Sequence, residues 1–313
     1  MSERGRNHGR VRETGRGALV GLAVGAVQAV LWAASAPWDG HSGVRGPHSL
    51  LMTLAAFLIG SGVAALLQLR RWPLVAFTGA IATLALGEAL WRIAPEITLY
   101  GFDRALLGGV HLLSALTGFT VAAWALAATR RWQSRIASLG ALAAVCVLAV
   151  PLEEPAQHWH LARAFELLGI PLVAPDIAGH GLYAAEAPVV GGADEPVILL
   201  EYRRVGAETV GGSRLGIQVI VRRASTATTA EACVTPYYAE SWEYENGPPC
   251  RAATRDRWVR YGWEGRVAVF THSGGALVQL ESHGVEETAL LAAAETIRPT
   301  SAETLAKQVH PVR

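Results

Sequence analysis

Charge is absent from five long apolar stretches in the first half of the chain: Gly17–Trp38, Gly46–Leu69, Trp72–Gly87, Ala105–Thr129 and Ile136–Leu152. No comparable stretch follows them. A hydrocarbon core of about 30 Å is crossed by roughly 20 apolar residues in a helix. The runs are continuously apolar rather than alternating, and a helix satisfies its backbone polar groups within its own segment. The expected organisation is therefore a basic cytoplasmic tail over 1–16, a five-helix transmembrane domain over 17–152, and a water-exposed domain over 153–313.

Arginine predicts the orientation. Arg4, Arg6, Arg10, Arg12 and Arg16 precede the first stretch, Arg70 and Arg71 separate the second from the third, and Arg130, Arg131 and Arg135 separate the fourth from the fifth. The opposite connections carry only Arg45, Arg92 and Arg104. This asymmetry predicts a multi-pass plasma-membrane protein with its N-terminus in the cytoplasm and, after five crossings, its C-terminal domain outside. Ala34–Ser35–Ala36 offers a competing signal-peptide reading. Pro37 directly after that site, and the length of the apolar run before it, oppose cleavage.

The formal net charge of +1 conceals a division. Residues 1–152 hold 13 arginines against 6 acids, and residues 153–313 hold 14 basic residues against 20 acids. An acidic outer domain gives no electrostatic case for nucleic acid. The bilayer is the expected partner of the first half, and an extracytoplasmic ligand or protein that of the second. Cys146 falls in an apolar run, whereas Cys233 and Cys250 fall in the outer domain, where an oxidising compartment favours a disulfide between them. Two cysteines at this spacing supply too few ligands for a metal, and no cofactor motif is present.

In the second half, Pro155 can open a short helix through Leu161, Phe165 and Leu168 that ends at Gly169 and serves either as a collar at the membrane surface or as part of the domain core. Residues 169–196 read as a loop. Strand patterns then cover Val197–Arg204, Leu215–Arg223, Trp258–Trp263, Val267–Thr271 and Ala276–Ser282, with helices at Thr229–Tyr238 and Val285–Ile297. Their order predicts an α+β domain with an antiparallel sheet.

Four groups of residues bear on chemistry. Glu88 and His111 fall at similar depth in neighbouring antiparallel spans and can form an intramembrane polar pair, with Arg92 an alternative partner for Glu88. Gln28, Ser61, Ser114 and Thr117 suit interhelical packing. Glu154, His158 and His160 cluster at the end of the fifth span, although His158 and His160 would point to different sides of a helix. Tyr237, Tyr238, Trp242 and Tyr244, interleaved with Glu240, Glu243 and Glu245, flank the cysteines and suit either a binding groove or a small core.

Ala174–Gly181 resembles the A-P-D-x-x-G-H-G turn of α/β-hydrolases, and Thr271–Gly275 is similar to their nucleophile elbow. That resemblance implies Ser273 as nucleophile and His283 or His310 as base. A Gly-Gly hairpin turn explains Ser273 more simply, since Ala276–Ser282 alternates like a strand where that family has a helix. Three functions are thus in view: an exported domain that binds or scaffolds without catalysis, a membrane-anchored serine hydrolase, and a small transporter or assembly factor using Glu88 and His111.

Overall fold

The computed structural model describes residues 3–34, 47–94, 104–127, 132–187, 196–206, 216–225, 227–237 and 248–309. It forms two compact units that divide between Gln157 and His158. The first comprises α1 (Glu3–Ala34), α2 (Pro47–Leu66), α3 (Trp72–Ile93), α4 (Arg104–Leu126) and most of α5 (Trp132–Leu168). The protein is a membrane protein by this architecture, since α1, α3, α4 and α5 are long and apolar enough to cross a bilayer. Four of the five expected spans are thus met by length and composition among the described residues. The apolar part of α2, Leu51–Leu66, is shorter; at 1.5 Å per residue it covers about 24 Å of a core of about 30 Å.

Small residues bring these helices together. Gly17, Gly21 and Gly25 form one stripe of α1 against α4, and a Cβ added at Gly21 would lie 2.5 Å from Ala115 O and 2.7 Å from Leu116 Cα. At Gly25 it would meet Leu112 Cα at 2.7 Å. Phe119 of α4 is fully buried, with its ring fitted against Gly60 of α2 and Gly79 of α3, where an added Cβ would stand 2.6 and 2.5 Å from ring carbons. Such contacts let backbones approach where lipid supplies no hydrophobic drive between helices. The apolar segment of α5 differs: 6% of it is buried, against 33 to 44% for the other three long spans.

Two sequence expectations for the helices change. The basic residues before Gly17 belong to α1 from Glu3 onward, since nothing there interrupts a helix. The separate collar after Pro155 is instead the last part of α5, which continues through Pro151 and Pro155. Leu161, Ala164 and Phe165 are buried in the core of the second unit. Their apolar spacing therefore serves that core rather than a membrane surface.

The second unit contains β1 (Val173–Ala174), β2 (His180–Glu186), β3 (Ile198–Arg204), β4 (Ile217–Arg223), α6 (Thr229–Val234), β5 (Arg251–Ala252), β6 (Arg257–Tyr261), a 3-10 turn (Trp263–Gly265), β7 (Arg266–Ser273), β8 (Ala276–His283), α7 (Glu287–Glu295), β9 (Arg298–Pro299) and α8 (Ala302–Gln308). The antiparallel sheet has seven strands in the order β2-β3-β4-β8-β7-β6-β5, and β1 pairs separately with β9. The loop expected over 169–196 thus contains a seven-residue edge strand, β2. Its Gly181, Ala184 and Ala185 carry no β-branched signal, and a register shift between Leu182 and Ala184 interrupts its pairing. One face of the sheet, with Ile198, Leu200, Val219, Val259, Val269, Val278 and Leu280, packs with residues of α5, α7 and α8. That apolar face accounts for the domain's stability.

Candidate functional site

The second face of the sheet is where polar residues converge. Alternation along β8 sends Val278 and Leu280 into the main core and turns Leu277, Gln279 and Glu281 the opposite way. Gln279 and Glu281 are nonetheless 1 and 5% exposed. Burial of such groups is tolerated only when they are hydrogen-bonded. Glu281 Oε1 accepts from Arg266 Nη1 at 3.0 Å, and Glu281 Oε2 accepts from Gln279 Nε2 at 2.8 Å. In register, Glu281 stands between Gln218 of β4 and Ala268 of β7.

This network holds one segment of backbone. Gln279 Oε1 accepts from the Tyr237 amide at 3.0 Å, and Gln279 Nε2 donates to the Tyr237 carbonyl at 3.3 Å. Arg222 of β4 lies 5.4 Å from the Tyr237 ring centroid. Arg260 of β6 donates from Nη1 to the Cys233 carbonyl at 3.0 Å and to the Val234 carbonyl. Cys233 is bonded to Cys250, with Cα atoms 5.9 Å apart. Cys233 is fully buried with Ala232, Ala268, Phe270 and Leu277. Three strands and a disulfide thereby fix the stem of the segment between the two cysteines.

The other stem of that segment is tied to the opposite face. Arg251, next to Cys250, donates to Glu287 at the start of α7, as does the Tyr261 hydroxyl. The Glu287 carboxyl is held below the ordinary carboxylate range, first by the Tyr261 hydrogen bond and then by Arg251. At the entry to α6, Thr228 and Glu231 form a capping box. The Glu231 carboxyl is lowered there by the Thr228 amide and hydroxyl.

Of the aromatic residues expected to bind, Tyr237 is placed at this stem, whereas Tyr238, Trp242 and Tyr244 lie outside the described residues. The disulfide cysteines are brought together. Glu88 and His111 are not joined to each other. Glu88 bonds Arg92 at 3.0 Å, and Arg92 also reaches Glu153 of α5 at 2.6 Å. Gln157 Nε2 donates to the Arg92 and Ala94 carbonyls, both at 2.9 Å, and so caps the end of α3. His111 instead packs between Trp32 and Trp91, with ring centroids 5.1 and 5.9 Å away.

The hydrolase-like residues take another geometry. Gly274 and Gly275, with φ of 57 and 81°, make a two-residue turn between β7 and β8, and Ser273 pairs with Ala276. A nucleophile elbow leads from a strand into a helix; here a strand follows. His283 lies at the far end of β8, opposite Arg266, and His310 is outside the described residues. Asp176 is used structurally, since its amide donates to Thr296 Oγ1 at 2.9 Å while that hydroxyl donates to its carbonyl at 2.8 Å. Among the described residues no group of three or more His, Cys, Asp or Glu is placed to hold a metal ion.

Sequence reasoning passed over Gln279, Glu281, Arg222, Arg260 and Arg266. The only available signal was the polar alternation within Ala276–His283. Compared with protein-family models, curated proteins and solved structures, the chain matches none.

Proposed function

We propose that the protein is a multi-pass plasma-membrane protein whose C-terminal domain lies outside the cell and binds a ligand or protein partner through the disulfide-closed segment Cys233–Cys250. One observation carries this reading. Side chains of β4, β6 and β8 converge on the entry stem at Cys233–Tyr237, and Glu287 of α7 engages the exit at Arg251. A scaffold that fixes both ends of a loop is how recognition segments are presented. Between the stems the sequence Tyr238–Asn246 supplies three aromatic and three glutamate residues, a composition suited to a cationic or sugar-like ligand.

The outward orientation requires an odd number of crossings, so α2 is read as the fifth. Its full helix of 20 residues reaches about 30 Å at 1.5 Å per residue. The arginine asymmetry between alternate connections favours the same topology.

The test has two arms. In intact cells carrying Cys146→Ser, an impermeant thiol reagent is expected to label Cys233 and Cys250 only after an impermeant reductant. Labelling confined to lysed cells overturns the topology. A photo-crosslinker at Val234, 65% exposed on the stem, is expected to give a defined adduct absent from the same probe at Val205, 73% exposed at the end of β3. Identical adducts at the two positions, or none at either, reject the binding role of the stem.

A further inference from the structure

Where α1 and α3 end and α4 begins, Gln28 and His111 each bring a polar atom into the helical bundle that the bundle does not itself satisfy. Gln28 of α1 is 1% exposed. Its Nε2 donates to the Met52 carbonyl of α2 at 2.9 Å, which fixes the amide orientation. Gln28 Oε1 is left buried with no hydrogen-bond partner among the described residues, and so is His111 Nε2.

The two lie in one neighbourhood. Trp32 is one helical turn beyond Gln28 on the same face of α1, and its ring centroid is 5.1 Å from that of His111 and 4.9 Å from that of Trp91. Ser114, three residues after His111, donates to the Val110 carbonyl at 2.6 Å and so has no proton to offer either atom. An amide oxygen buried without a donor carries its full desolvation penalty, and protein interiors relieve such atoms with ordered water. Leucine at Gln28 and phenylalanine at His111 would remove the penalty altogether. Ionisable residues at membrane depth are rare and commonly mark ion or proton pathways.

We propose that Gln28 and His111 together bind a water molecule and a proton, with His111 as the protonatable group. In the neutral form, the water donates one hydrogen to Gln28 Oε1 and the other to His111 Nε2. On protonation, a hydronium delivered to the water position gives up one O–H bond, an N–H bond forms at Nε2, and a neutral water remains between the imidazolium and Gln28. The side chains of His48 in α2 and Arg104 in α4 lie outside the described residues, and the described charged groups of the surrounding helices are paired or lie elsewhere. Glu88, Arg92 and Glu153 bond one another, while Arg12, Glu13 and Arg16 sit toward the opposite end of α1. Protonation of the His111 imidazole is the charge change this site can undergo.

The two indoles against His111 report the event, because an imidazolium quenches an adjacent indole. The full-length protein in lipid nanodiscs is titrated from acid to alkaline pH while tryptophan emission is followed. A reversible quench on acidification is expected, and it disappears in His111→Phe, which keeps an aromatic ring between Trp32 and Trp91. In Gln28→Leu the midpoint is expected to fall by about one pH unit, because the protonated form loses its acceptor. His111→Gln repeats the first comparison with a polar, non-titrating side chain. A wild-type titration that is flat, or one unchanged in both His111 variants, overturns the proton site. An unshifted midpoint in Gln28→Leu overturns the shared water.

Discussion

Adding a single methyl group to α1 tests the packing of the helical unit most directly. In Gly21→Ala the new Cβ would stand 2.5 Å from Ala115 O and 2.7 Å from Leu116 Cα, against an ordinary contact that begins at 3.4 Å. Both neighbours are backbone atoms of α4, so no rotamer change relieves the clash and the helices must part by roughly 1 Å, a gap that forfeits a quarter to a half of the dispersion energy of the facing atoms. Overpacking of this kind costs about 1–3 kcal/mol, offset by up to about 1 kcal/mol of helix propensity gained over glycine. Gly21→Val should cost more. Gly62→Ala is the control, since its added Cβ meets nothing within 4 Å. Thermal unfolding of the purified variants in a mild detergent should rank wild type and Gly62→Ala together, then Gly21→Ala, then Gly21→Val. Equal unfolding midpoints for the two alanine variants would refute the close approach of α1 and α4.

Acid should weaken the second unit through Glu287. Its carboxyl is lowered in the folded state, so the stability it confers is complete above the ordinary carboxylate pKa and is lost as pH falls through the depressed folded value. Unfolding midpoints measured downward from about pH 4.3 should decline less steeply in Glu287→Gln than in wild type; parallel curves would show that Tyr261 and Arg251 do not set its titration. Replacing both Cys233 and Cys250 with serine should lower stability by about 3 kcal/mol in the chain-entropy picture, read from denaturant unfolding, and an unchanged midpoint would mean the stem is held without the bond. Ser273→Ala should leave labelling by a serine-directed fluorophosphonate unaltered, because Ser273 closes a hairpin; selective loss of a labelled band would reinstate the hydrolase reading.

Much of the architecture was legible because it rests on long-range composition. The apolar runs located the long helices, and alternation located β3, β4, β7 and β8 to within two or three residues at each end. Where the reading failed, the determinants were local and small. Gly17, Gly21 and Gly25 recur every fourth residue, a sign of close helix packing that hydropathy alone does not separate from the rest of an apolar run. β2 pairs through its backbone while Gly181, Ala184 and Ala185 give it no strand composition. Glu88 looked like a partner for His111 on depth alone, but Arg92 lies four residues away on the same helix and reaches both Glu88 and Glu153. Depth is visible in a sequence, whereas the rotation of one helix about its axis relative to another is not.

The buried polar face of the sheet bears most directly on why the second unit has its present form. Arg266, Glu281 and Gln279 give up hydration to enter it, and a paired charge in an interior is often no more stabilising than apolar side chains of the same volume. If stability alone were at stake, an apolar set in place of Arg266, Glu281 and Gln279 would serve, since Phe270 and Ile220 already flank Gln279 across the sheet. What leucine cannot do is accept from the Tyr237 amide and donate to the Tyr237 carbonyl at once, the two bonds that hold that peptide in one orientation. The polar residues therefore specify the position and orientation of the Tyr237 peptide. Replacing Gln279, Glu281 and Arg266 together by Leu, Leu and Met, so that no buried carboxylate is left without its donors, should accordingly separate two quantities: the global unfolding midpoint should change little, while proteolytic cleavage between Cys233 and Cys250 should accelerate severalfold. Coupled loss of both would mean that the network serves the core instead, and would remove the main support for a recognition role at this stem.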